Sequence, residues 1–143
     1  MAYIAKSDLQ RFVETDQLTI VSQANDTYIS DVILMAQEEV AGYIRHRYDV
    51  GVIFAMSGSS RNQKLVQVMC DIALYHLFTA VVPRNIPEVR LVRYDGNGKS
   101  TGGDAVGWLK MVQKGTITMD LPIYTTDEDK GQRVIYGNNT TTW

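Results

Sequence analysis

The sequence is poor in the residues on which most site chemistry depends. It has one cysteine, Cys70, so no internal disulfide can form and any zinc site would need other ligands. Its two histidines, His46 and His76, come with no Cys-rich or closely spaced Asp pattern that meets the needs of zinc or calcium. Proline is scarce as well. None precedes Pro83, so nothing interrupts a helix across the first half of the chain. Neither sign of charge prevails: 14 basic residues face 16 acidic ones, a net charge of −2, which excludes a broad electrostatic footprint for nucleic acid. The N-terminus lacks the basic, apolar, then small-residue order of a signal peptide. The most apolar window, residues 65–82, carries Gln67, Asp71 and His76, which lipid would penalise, so it reads as a core helix of a protein made in the cytoplasm.

What is present is an ordinary globular composition. The 143 residues are 45% hydrophobic and 21% charged, room for one domain with a real core. Ser7-Asp8-Leu9-Gln10 has the form of a capping box and predicts a short helix to about Val13, followed by a turn of helix over residues 17–22. Asn25 or Asp26 caps the next helix, where Ile29, Val32, Ile33, Ala36, Val40, Tyr43, Ile44 and Tyr48 make one apolar stripe. Glu38, Glu39 and Arg45 fall off that stripe. Ser60 with Gln63 gives a second capping box and a helix over residues 61–80. Its Leu65, Met69, Ile72 and His76 share one side while Val66, Ala73, Leu77 and Ala80 share the next, so it is the central helix, packed on two faces. A short helix follows over residues 88–94, then a glycine-rich loop over residues 95–103. Asp104 caps a helix that buries Trp108, Leu109 and Val112 and stops at Gly115. The fold class is mainly α, a bundle of four to five helices.

The last 28 residues are of another kind. Residues 116–123 alternate polar and apolar like a half-buried strand, and residues 133–136 form a second β-prone stretch between Gly131 and Gly137. Four acids (Asp120, Asp127, Glu128, Asp129) face two bases (Lys130, Arg133) in this arm, so it holds the net negative charge. Two units result: a helical domain over residues 1–115 and an extended arm over residues 116–143. Ile117, Met119, Leu121, Ile123, Tyr124, Val134, Tyr136 and Trp143 are too apolar for a plain linker and are expected to meet a partner, pairing with each other or with another chain's sheet edge.

Reactive constellations are missing. Gly98-Lys99-Ser100 resembles the end of a phosphate-binding loop, but Arg93 stands where that loop needs its first glycine, and no buried strand precedes it. Cys70 and His76, six residues apart on a helix, point to faces roughly 120° apart. Cys70 is read as a small buried hydrophobe, and His76 as a core or half-exposed histidine. The sequence predicts no catalytic residue, no metal and no cofactor.

Three blocks in order carry a family resemblance: Tyr43-Ile44-Arg45-His46-Arg47-Tyr48-Asp49, then residues 70–78 (Cys70-Asp71-Ile72-Ala73-Leu74-Tyr75-His76-Leu77-Phe78), then residues 104–115 around Trp108-Leu109. Tyr3 with Ser7-Asp8-Leu9 fits the same pattern. Together they resemble the small structural proteins of tailed phages in the Mu-like prophage family, itself similar to head–tail connector (adaptor) proteins that form a ring beneath the portal. The resemblance covers residues 1–117 and fades near Leu121. In its pattern the segment between Arg93-Tyr94 and the Trp108 helix is shorter, so residues 95–103 are an addition. It implies a structural core of Tyr43, Ile44, Tyr48, Met69, Ile72, Ala73, His76, Trp108 and Leu109.

The function this implies is a virion neck protein, not an enzyme, made in the host cytoplasm. It would form a ring, about twelve-fold by resemblance, between portal protein and tail or tail-completion proteins, and touch passing DNA without reading sequence. A tail-completion or tail-terminator ring subunit is the alternative within the class. A small helical DNA-binding regulator, motivated by Arg45-His46-Arg47, is the alternative outside it. No membrane partner is expected.

Overall fold

The computed structural model describes residues 2–99 and 103–123. Among them are seven α-helices: α1 Lys6–Leu9, α2 Thr15–Ser22, α3 Asp26–Ile44, α4 Val50–Ile53, α5 Gln63–Val81, α6 Glu88–Asp95 and α7 Ala105–Lys114. The mainly α class holds; the seven helices exceed the four to five expected, and α4, a single turn, is the one the sequence reading did not place. Tyr124, Val134, Tyr136 and Trp143 lie outside the described residues.

Caps explain most boundaries, and two differ from expectation. The first helix opens at Ala5, not Ser7. The Asp8 carboxylate reaches back to accept from the Ala5 N–H at 2.8 Å, and the helix ends at Leu9 instead of Val13. The central helix is capped by Asn62, whose side chain accepts from the Leu65 N–H at 2.9 Å, while Ser60 sits in a 3₁₀ turn, Gly58–Ser60. Asn25 caps α3 and Asp104 caps α7, each accepting from a first-turn N–H. Gly115 ends α7 at φ 86°, a left-handed conformation that a side chain would strain.

Helices α3 and α5 form the centre. Lys6 bonds Asp26 at the head of α3, and Asp8 holds Arg61 just before α5, so α1 draws both N-terminal ends together. Glu39 bonds His76 equally far along each helix, so the two run side by side in the same sense. Helix α5 buries residues on both sides, among them Leu65, Val66, Met69, Cys70, Ile72, Ala73, Leu74 and Leu77. Each of the valine, leucine, isoleucine and methionine side chains among them contributes about 1.5–3 kcal/mol by leaving water. By length and apolarity α5 also qualifies as a membrane span, yet 61% of that window is buried inside the fold. Ala80, expected on its packed side, is exposed.

The root of the arm is the main correction to the expected strand. Residues 116–123 form no strand. They fold back over the C-terminal end of α3: the Met119 N–H donates to the Tyr48 hydroxyl at 2.9 Å, and the Asp49 N–H donates to the Pro122 carbonyl at 3.0 Å. A single antiparallel bridge joins Tyr48 and Ile123. Met119 is only 9% exposed and belongs to the core, with Ile117 and Leu121 packed against it. The alternation is real, but its apolar side lies on this chain's own helices.

Candidate functional site

The expected core residues are mostly where the sequence put them. Ile44, Met69, Ile72, Ala73, Leu109, Tyr48 and Trp108 are buried. Tyr43 is partly buried and packed against the core, and His76 is half-buried, the second of the two environments expected for it. They border a polar cluster. Glu39 Oε1 lies 2.9 Å from His76 Nε2, and Glu39 Oε2 accepts from the Tyr94 hydroxyl at 2.9 Å. Tyr75 and Tyr94 stack with ring centroids 3.9 Å apart. Burial alone would raise the Glu39 carboxyl, but hydrogen bonds from His76 and Tyr94 bring it below the ordinary value. Burial and the Glu39 hydrogen bond push the Tyr94 hydroxyl up. Glu39 looked solvated because it stands one residue off the apolar stripe, at its edge.

Two ion pairs were also hidden in the sequence. Arg61 donates to both Asp8 oxygens, at 2.8 and 3.0 Å, and to the Tyr3 carbonyl at 3.0 Å. Arg93 donates to both Asp71 oxygens at 2.9 Å. Asp71 was the one with a signal, since an acid inside an apolar helix needs a partner. Burial pushes its carboxyl up, opposed by Arg93, Arg90 and Lys64.

None of this resembles a reaction centre. The Cys70 thiol is buried and pushed up to about 12, chiefly by that burial, which leaves almost no thiolate near neutrality. His76 bonds Glu39, away from Cys70. Among the described residues no group of His, Cys, Asp or Glu is arranged to hold a metal ion. The glycine-rich loop follows a helix, α6, and opens with a 3₁₀ turn, Gly96–Gly98, so the strand–loop–helix context of a phosphate loop is lacking there.

The surface offers more. Two grooves of about 390 Å³ each run along the outer side of α3 and meet at Leu34. One lies between α3 and the N-terminal segment, lined by Ala2, Ile4, Ile29 and Ile33. The other lies between α3 and α4, lined by Ala41, Arg45, Val50, Gly51 and Phe54. Leu34, which lines both grooves, is 54% exposed, and Met35 of α3 (50%) and Val52 of α4 are exposed as well. A separate apolar face is on α6, where Val89 (51%) and Val92 (45%) are exposed. Large apolar side chains clustered in water mark contact surfaces. The chain leaves the described body at Ile123, beside Tyr48 and Asp49 and next to Val50 on the rim of the second groove.

Comparison with known proteins places the chain in a family. The family model described as bacteriophage Mu, Gp36 matches residues 3–136. It runs through the glycine-rich loop and past Leu121, so the resemblance extends further into the arm than the three sequence blocks indicated. No curated protein and no solved structure matches the chain. With nearly its whole length matched, the chain belongs to the bacteriophage Mu Gp36 family and is a Mu-like phage protein.

Proposed function

We propose that this chain is a non-catalytic structural subunit of a tailed-phage virion, a head–tail connector (adaptor) that forms a ring between portal and tail. The observation that carries the reading is an apolar surface divided between two unlike faces, the α3–α4 groove and the α6 face, on a small phage subunit. A two-fold dimer uses the same patch twice, whereas a ring needs two different patches that complement each other around a closed circle. In this arrangement α6 of one copy seats against the α3–α4 groove of the next. The arm crosses the same boundary, ordering on assembly, and lumen-facing Arg and Lys side chains meet DNA through its phosphates. The partners are further copies, the portal protein and a tail-completion protein.

Tagging the chain in assembled particles and isolating its neighbours tests this. The connector reading expects recovery with the portal protein. Recovery with the tail tube and no portal identifies the tail-completion ring instead. Substituting Leu34→Asp on one face and Val89→Asp on the other should each abolish incorporation while leaving the isolated subunit folded; unchanged incorporation of both refutes the two-face arrangement.

A further inference from the structure

Helix α6 holds an arginine that the subunit alone does not satisfy. Arg90 is 8% exposed, and its Nη1 is enclosed with no hydrogen-bond partner among the described residues. Asp71, the carboxylate that bears electrostatically on Arg90, is committed to Arg93 through both oxygens. Lys64 and Arg93 also bear electrostatically on Asp71, so three cations surround one buried carboxylate. Burial pushes Arg90 below the ordinary guanidinium value, with Asp71 opposing and Arg93 adding to it. A guanidinium stays charged regardless, and a buried charge without a partner is strongly unfavourable. Such a group is satisfied by an anion, and the same short helix also exposes Val89 and Val92 on another side for apolar contact.

We propose that the Arg90 cluster is the docking site for the acidic run Asp127-Glu128-Asp129 of a second copy of this chain. The proposal rests on the ring reading, in which α6 of one copy faces the α3–α4 groove of its neighbour. The neighbour's chain leaves its body at Ile123, on the rim of that groove. Asp127 to Asp129 follow within four to six residues, an extended reach of roughly 13–20 Å. The charges are complementary: three successive carboxylates meet a cluster with two uncompensated positive charges. Apolar residues flank the run, Tyr124 before it and Val134 to Tyr136 after it, matching the exposed valines. DNA fits the site less well. Phosphate backbones are met by long, exposed basic side chains over a wide footprint, whereas Arg90 is only 8% exposed.

The test uses the full chain carrying Asp127→Asn, Glu128→Gln and Asp129→Asn, so that its own acids do not compete. A labelled peptide of residues 123–136 is titrated into it and followed by fluorescence anisotropy. The expected result is saturable binding that weakens at higher salt. It should fall at least about tenfold when the receptor also carries Arg90→Met, and by a similar factor when the peptide carries amides in place of its three acids. Arg90→Met should leave the Tm of the subunit unchanged or raised, since it removes an unpaired buried charge; an arginine with a purely internal role would lower it. Absence of saturable binding up to about 1 mM overturns the proposal, as does equal binding of the amide peptide, which does not depend on how the Arg90 variant folds. Arg90-dependent binding of a duplex DNA fragment without peptide binding would make the cluster a phosphate site and also overturn it. A chain located in the virion neck whose peptide fails this test leaves the ring reading standing; a peptide that passes while the chain is absent from the neck does the reverse.

Discussion

Replacing Arg61 with alanine should be among the most damaging single changes in the subunit. Arg61 joins three parts of the fold that are distant in sequence. It donates to both oxygens of Asp8 in α1, to the Tyr3 carbonyl, and through Nε to the Gly58 carbonyl at 3.0 Å. Both side chains are well covered, Asp8 at 9% and Arg61 at 13% exposure. Removing one partner of a buried pair costs about 3–5 kcal/mol, because the other charge is left without compensation. Here Asp8 keeps the Ala5 N–H at 2.8 Å and Arg11 at 3.9 Å, which places the cost near the low end, about 3 kcal/mol. That is a large share of a typical stability of about 5–15 kcal/mol. For a chain of this size it lowers Tm by roughly 10 °C. Thermal and urea unfolding followed by circular dichroism at pH 7 measures it. The pH dependence provides a second check. Hydrogen bonds from Arg61 hold the Asp8 carboxyl below its ordinary value. Its contribution is therefore complete above the unfolded-state value of about 3.9 and is lost as pH falls through the lower folded-state value. The gap between wild type and Arg61→Ala should be constant from pH 7 down to the region of that unfolded value and then narrow. A Tm within about 3 °C of wild type at pH 7 would refute the reasoning.

Three further outcomes follow from other parts of the fold. Met119→Ala should destabilise the isolated subunit by about 2 kcal/mol or more in urea unfolding, as expected for a buried side chain; a residue reserved for a partner would leave the isolated subunit unaffected. Cys70 should resist a thiol reagent at pH 8 in the native state and react at once in denaturant, so rapid labelling of the native protein would contradict its burial. Asp104→Ala should cost about 1–2 kcal/mol through loss of the α7 cap to the Gly107 N–H, and Asp104→Asn should recover much of it in the same assay.

The sequence made the helices legible where apolar periodicity was long. The stripe from Ile29 to Ile44 and the two-sided pattern around Met69 and Ile72 were enough to identify α3 and α5 as the centre. It misled where a local signal had two explanations. Residues 116–123 alternate because one side is buried, and alternation alone does not say whether a sheet or a pair of helices covers it. Tyr48 supplied that cover, from far away in sequence. The capping motifs at Ser7 and Ser60 failed because other side chains serve the helix starts: Asp8 accepts from the Ala5 N–H, and Asn62 accepts from the Leu65 N–H. The candidate contact surfaces were harder still. Leu34, Val89 and Val92 have the same residue types as core positions, and only the packing shows that nothing covers them. Arg90 carries no sequence signal that sets it apart from the other arginines, and only its burial on α6 distinguishes it.

Electron microscopy of intact particles, with this chain traced in the density, would show directly where in the virion it sits. The expected result is a closed ring of copies, about twelve by family resemblance, between portal and tail, with α6 of each subunit against the α3–α4 groove of the next. A particle whose neck is built without this chain, or one that places it elsewhere in the virion, would contradict it.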